Sequence, residues 1–105
     1  MANGGIRFAT LIDPSVVLAK RVAIGEENIM TVDISIGNHV IINLDCTLGH
    51  DDVIEDYVTI CPSVNVSGNV RVGECVELGA GTLVIQGKVI VLDTIIGAGT
   101  SVVKV

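Results

Sequence analysis

Every sixth residue of this chain is aliphatic: Ile6, Ile12, Leu18, Ile24, Met30, Ile36, Ile42, Leu48, Ile54, Ile60, Val66, Val72, Leu78, Val84, Ile90, Ile96 and Val102. With 18 Val, 14 Ile, 7 Leu and 2 Met among 105 residues, chance would give such a run only about once in ten million. Six is not a multiple of the helical 3.6, so no helix keeps this series on one face, whereas strand alternation divides into it evenly. Two residues earlier runs a second series, mostly small or branched: Val16, Val22, Asn28, Ile34, Val40, Cys46, Asp52, Val58, Val64, Val70, Val76, Thr82, Lys88, Thr94 and Thr100. Each hexad therefore reads as a short strand pointing in, out and in, followed by a corner. Gly25, Gly37, Gly49, Gly73, Gly79 and Gly97 directly follow the aliphatic residue, with Asn38, Asp56 and Asn69 nearby, and are expected to serve tight turning. The repeat predicts a solenoid of short parallel strands, all-β, with no insertion from Ile6 to Val102.

Composition fits a core of many similar slots. There is no Trp, one Phe (Phe8) and one Tyr (Tyr57), so aliphatic side chains must fill the interior. The mean hydropathy of +0.70 would suit a membrane protein, but no run approaches the roughly 18 apolar residues of a spanning helix. The first residues, Met1 to Gly5, lack the pattern of a signal peptide. The expectation is a soluble, cytoplasmic single domain over 6–105, with 1–5 as a disordered or linker start. Net charge is −6 and the six basic residues are scattered, which argues against nucleic acid. Cys46, Cys61 and Cys75 form no metal-site spacing and suit a reducing compartment.

Outward strand positions are Leu11, Val17, Ala23, Ile29, Ser35, Ile41, Thr47, Val53, Thr59, Asn65, Arg71, Glu77, Leu83, Val89, Ile95 and Ser101. Nine of these sixteen are apolar, and a solenoid one chain thick cannot bury them itself, so a partner is expected.

The hexads resemble those of the hexapeptide-repeat proteins, and that resemblance implies a left-handed parallel β-helix of triangular section. Three hexads per coil would give about six coils, with residues 18 apart stacked, and a closed homotrimer is the assembly the family suggests. The segment from Ile41 to Pro62 is more specific. Asn43, His50, Asp51, Ile54, Asp56, Tyr57 and Pro62, with Gly68, Gly73, Gly79, Gly81, Gly97 and Gly99 beyond, resemble the signature of the sialic acid O-acetyltransferase and bacillosamine-pathway N-acetyltransferase group. The resemblance implies an acetyl-CoA-dependent acetyltransferase acting on an amino sugar or sugar hydroxyl, with no resident metal. His50 would be the general base and Asp51 its orienting carboxylate, a role for which imidazole has the intrinsic pKa. Stacking would put Val32 below His50 and Gly68 above it, where a missing side chain would leave room for a thioester or sugar. Asn43 falls at a different corner and could cooperate with His50 only across a subunit boundary. Thr59 stands where the family often has a second histidine contacting acetyl-CoA. Small corners at Gly79-Ala80 and Gly97-Ala98 would let the pantetheine arm pass, with Lys104 placed for CoA phosphates. The family's N-terminal βαβ domain has no counterpart in this sequence.

Plainer readings stand beside these. His39 falls in a column with Arg21, Tyr57, Cys75 and Asp93 and is expected to pack on Tyr57. The acidic residues Asp51, Asp52, Glu55 and Asp56 read as solvated corner charges rather than a cation site. A gamma-carbonic-anhydrase-like metalloenzyme would need three histidines, and only two exist. A non-catalytic trimeric assembly module is the alternative from another class.

Overall fold

The computed structural model of the chain describes residues 10–103. They form sixteen two-residue strands, from β1 (Leu11–Ile12) to β16 (Ser101–Val102), one in every hexad, with no helix among the described residues. Strands pair in parallel with those three elements away, so Leu48 of β7 (Thr47–Leu48) lies between Met30 and Val66, each 18 residues off. The pairing builds three sheets of six, five and five strands, the faces of a triangular solenoid. Sixteen strands at three per coil make five coils and one further strand. The expected six coils came from dividing the whole length, and residues 1–9 and 104–105 lie outside the described residues, as do the lead-in at 1–5 and Lys104. Among the described residues no helix is long and apolar enough to cross a membrane.

Both inward series meet at the axis. Met30, Ile36, Ile42, Leu48, Ile54, Ile60, Val66, Val72, Leu78, Val84 and Ile90 are buried, and so are Ile34, Val40, Cys46, Val58, Val64, Val70 and Val76 from the second series. Aliphatic side chains of similar size pack there coil upon coil. Burial fades toward both ends of the described residues, where Ile12 and Leu18 are exposed and Ile96 and Val102 only half-buried.

The corners carry the backbone cost. From Arg21 to Gly99 every sixth residue is left-handed, with φ of 56–61° at eleven non-glycine positions and 73–80° at Gly81, Gly87 and Gly99. Only glycine, and less readily Asn and Asp, adopts this region freely. Most of these residues donate their N–H to the carbonyl of the coil below, as in His39 to Lys20 (2.9 Å), Tyr57 to Asn38 (2.9 Å) and Cys75 to Asp56 (3.0 Å). The ladder thus continues around the bend and holds residues such as Tyr57 where they would not otherwise stay. His39 and Tyr57 stack as expected, with ring centroids 5.0 Å apart and planes 6° from parallel.

The glycines after the aliphatic residue have a different purpose from the one expected. Gly37, Gly49, Gly73 and Gly79 do not have positive φ; the left-handed residue comes two positions later. They are small because the next coil passes close by: a Cβ at Gly73 would stand 2.6 Å from Leu92 N.

Among the described residues three polar side chains sit fully inside: Asn28, Asp52 and Thr82. Asn28 joins two coils, its Oδ1 accepting from Cys46 N–H (2.7 Å) and its Nδ2 donating to Gly25 O (3.0 Å). Asn28→Ala leaves the buried Cys46 N–H without its acceptor, while Gly25 O keeps the hydroxyl of Thr10 (2.9 Å), so we expect a loss of about 1–3 kcal/mol, read as a fall of about 5 °C or more in thermal unfolding.

Candidate active site

His50 occupies the corner Gly49–Asp52, between β7 and β8 (Val53–Ile54). The corner is pinned from both sides. Asp51 N–H donates to Val32 O in the coil below (3.1 Å), and Asn69 N–H from the coil above donates to His50 O (2.7 Å). Stacking by 18 therefore brings Val32, His50 and Gly68 into one column, as the sequence predicts. His50 Nδ1 lies 3.0 Å from Asp51 Oδ2, with 53 % and 57 % of the two side chains exposed. An Nδ1–H donated to that carboxylate fixes the ring and leaves the lone pair on Nε2.

Gly68 is buried, and the ring is what covers it. A Cβ on Gly68 would come within 2.5 Å of Nε2 and 2.8 Å of Cδ2 and Cε1. The expectation that the missing side chain leaves room for substrate is corrected here: the imidazole fills that room. Gly68 is the seat of the histidine, and the other side of the half-exposed ring stays open. Gly49 lets the two corners close, since a Cβ there would stand 2.6 Å from Gly68 N and 2.7 Å from Ser67 C.

The remaining candidates fall elsewhere. Asn43 follows β6 (Ile41–Ile42) on the preceding edge of the triangle, and its Nδ2 donates to Ile60 O (2.9 Å). Gly79-Ala80 and Gly97-Ala98 stack on that same edge, where a Cβ on Gly79 would lie 2.6 Å from Ala98 N. Thr59 is half-buried on the face leading to that edge, paired between Ile41 and Glu77. One edge thus holds His50, Asp51 and Gly68, and the edge before it holds Asn43, Ala80 and Ala98, with the six-stranded face between them.

Asp52 is the residue that the sequence reading misplaced. It is fully buried rather than solvated, accepting from Val70 N–H through Oδ1 (2.8 Å), while Oδ2 has no partner. Burial pushes its carboxyl up to about 7, against the opposing pull of the Val70 and Gly49 N–H groups and of His50. The signal was present in the repeat, because Asp52 belongs to the second inward series. Among the described residues no group of three or more His, Cys, Asp or Glu could hold a metal ion.

No protein-family model matches this sequence, and no curated protein does. Solved structures do. A histidine-to-asparagine variant of perosamine N-acetyltransferase from Caulobacter crescentus, in complex with CoA and GDP-perosamine, is 33 % identical over 98 % of this chain, with a TM-score of 0.72. The acetyltransferase domain of PglB from Neisseria gonorrhoeae is 27 % identical over 97 % of the chain, with a TM-score of 0.63. Serine acetyltransferase from Neisseria gonorrhoeae, at 23 % identity over 92 % of this chain and 40 % of its own, has a TM-score of 0.68 and shares the fold. The chain spans about half the length of the first two, 52 % and 53 %.

Two glycine variants separate the corner's framework from its histidine. Gly49→Ala pushes backbone against backbone, so a loss of about 2 kcal/mol or more is expected in thermal unfolding. Gly68→Ala meets only a half-exposed ring that can swing away, so stability should change by less than about 1 kcal/mol while His50 leaves its seat, read by NMR contacts between the ring and residue 68.

Proposed function

We propose that this chain, a hexapeptide-repeat β-helix built like the sugar N-acetyltransferases it resembles, moves the acetyl group of acetyl-CoA onto the amino group of a nucleotide-linked sugar. The observation that carries the reading is the His50–Asp51 pair, 3.0 Å apart and seated on Gly68, in a solenoid 33 % identical across nearly its whole length to part of an acetyltransferase that binds CoA and GDP-perosamine. His50 Nε2 takes the proton from the attacking amine as its nitrogen adds to the thioester carbonyl. The tetrahedral intermediate then collapses, the carbon–sulfur bond breaks, and the imidazolium returns the proton to the CoA sulfur. Asp51 holds the ring in the tautomer this needs and stabilises its charged form.

The working unit in this reading is a homotrimer in the cytoplasm. Leu11, Val17, Val89 and Ile95 are 60–73 % exposed and apolar, which supports a partner covering the faces. Trimer closure would bring the His50 edge of one subunit against the Asn43 edge of the next. Asn43 Oδ1 would then be available to the acceptor, and the pantetheine arm would run past Thr59, Gly79-Ala80 and Gly97-Ala98 toward Lys104. Residues 6–105 would be the acetyl-transferring domain, and 1–5 its lead-in.

The test is CoA release from acetyl-CoA against nucleotide-linked 4-amino sugars and sialic acid. Turnover is expected with an amino sugar, and His50→Ala should lower kcat/KM by about a hundredfold or more with the fold intact. No release with any acceptor, together with no acetyl-CoA binding by calorimetry, overturns the reading in favour of a non-catalytic assembly module. Mixing His50→Ala chains with Asn43→Ala chains should restore part of the activity. A hybrid as inactive as either parent rules out the shared site.

A further inference from the structure

The corner that carries His50 is closed from inside by a group that acetyl transfer does not use. At three other corners a polar side chain in the last position donates to the carbonyl three residues back: Asn28 Nδ2 to Gly25 O (3.0 Å), Thr82 Oγ1 to Gly79 O (2.6 Å) and Thr94 Oγ1 to Val91 O (2.7 Å). Asp52 holds this position in the His50 corner, where the corresponding carbonyl belongs to Gly49. Asn28 is its nearest counterpart. Each accepts through Oδ1 from the N–H 18 residues ahead, Cys46 at 2.7 Å in one case and Val70 at 2.8 Å in the other. The second atom differs: in Asn28 it is an NH₂ donor, and in Asp52 it is the unpartnered Oδ2. Gly49 N–H is already engaged by Val66 O (2.8 Å). A carboxylate here would leave a charge in a fully buried corner with one full hydrogen bond, from Val70, and only the already engaged Gly49 N–H beside it, whereas a carboxylic acid supplies the donor that Asn28, Thr82 and Thr94 use.

We propose that Asp52 is a protonated, neutral latch whose Oδ2–H donates to the Gly49 carbonyl while Oδ1 accepts from Val70 N–H, fixing the His50 corner across its own turn and against the coil above. Asp52 is in this sense a positioning residue for His50, and losing its proton opens the latch. The titratable groups that act on it come from its own corner: His50 favours the ionised form and Asp51 opposes it. The coils below and above contribute Ile34 and Val70, which carry no charge.

The sign of the pH dependence follows from burial. The folded carboxyl titrates near 7, while an unfolded Asp titrates near about 4. The folded state therefore holds a proton that the unfolded state has lost between these values, and the latch's contribution is complete below about pH 4, declines up to pH 7 and is gone above it.

Thermal unfolding of the full chain and of Asp52→Asn across pH 4 to 8 tests this, because the amide reproduces Asn28 and does not titrate. The variant should gain on the wild type as pH rises, by about 5 °C or more between pH 4 and 7, with no further gain above. In NMR the contact between the His50 ring and Gly68 should weaken over that range in the wild type and persist in the variant. A melting difference that is flat with pH, or that changes in the opposite sense, overturns the latch, as does a His50 ring that leaves Gly68 to the same extent in both proteins. Should the variant not fold, the ¹³C shift of the Asp52 carboxyl in the wild type decides: protonation persisting to about pH 6 supports the proposal, and titration near 4 overturns it. Every readout is physical, so the result stands apart from whether the chain transfers acetyl groups.

Discussion

Hydrogen bonding between residues 18 apart is the interaction on which everything else rests. Strands of two residues have no stability alone, and each survives here because its backbone is paired with the coil above, the coil below, or both. The same ladder carries on through the corners, where N–H groups of left-handed residues such as Asp51 and Tyr57 reach the coil beneath. A left-handed conformation at a non-glycine residue costs roughly 1–2 kcal/mol, so corners built from His39, Ser63 or Cys75 exist only because stacking holds them. Aliphatic layers at the axis then add the burial that makes the stack cohere.

That ladder also makes the candidate site. His50 needs no long-range element to position it; the partners of its carbonyl and of its neighbour's N–H, and the glycine against its ring, all come from the adjoining coils. The polar interior follows the same logic. Asn28 and Asp52 each replace an aliphatic side chain with one that grips the next coil, at the expense of burying a polar group.

The fold was legible because its period is in the sequence: Ile6 to Val102 without a break identifies strands, and the second series identifies which of their residues point in. Columns such as Val32, His50 and Gly68 or His39 and Tyr57 follow from the same count. What the count does not carry is distance. It placed Gly68 above His50 but could not tell a vacancy from a seat, because that depends on the ring's rotamer. It attributed Gly49 and Gly73 to turning, whereas the limiting contact is with backbone 18 residues away. It grouped Asp52 with its acidic neighbours by sequence adjacency, although membership of the inward series already put its carboxyl inside.

Because each coil bonds only to its immediate neighbours, the molecule is close to one-dimensional in its energetics. A disturbance at one coil is felt by two others and fades along the axis. The corner bearing His50 has complete coils on both sides, while Leu18 near one end and Val102 near the other are incompletely covered. Loosening of an outer coil can therefore proceed without reaching the histidine, and the geometry of the middle is insulated from what happens several coils away.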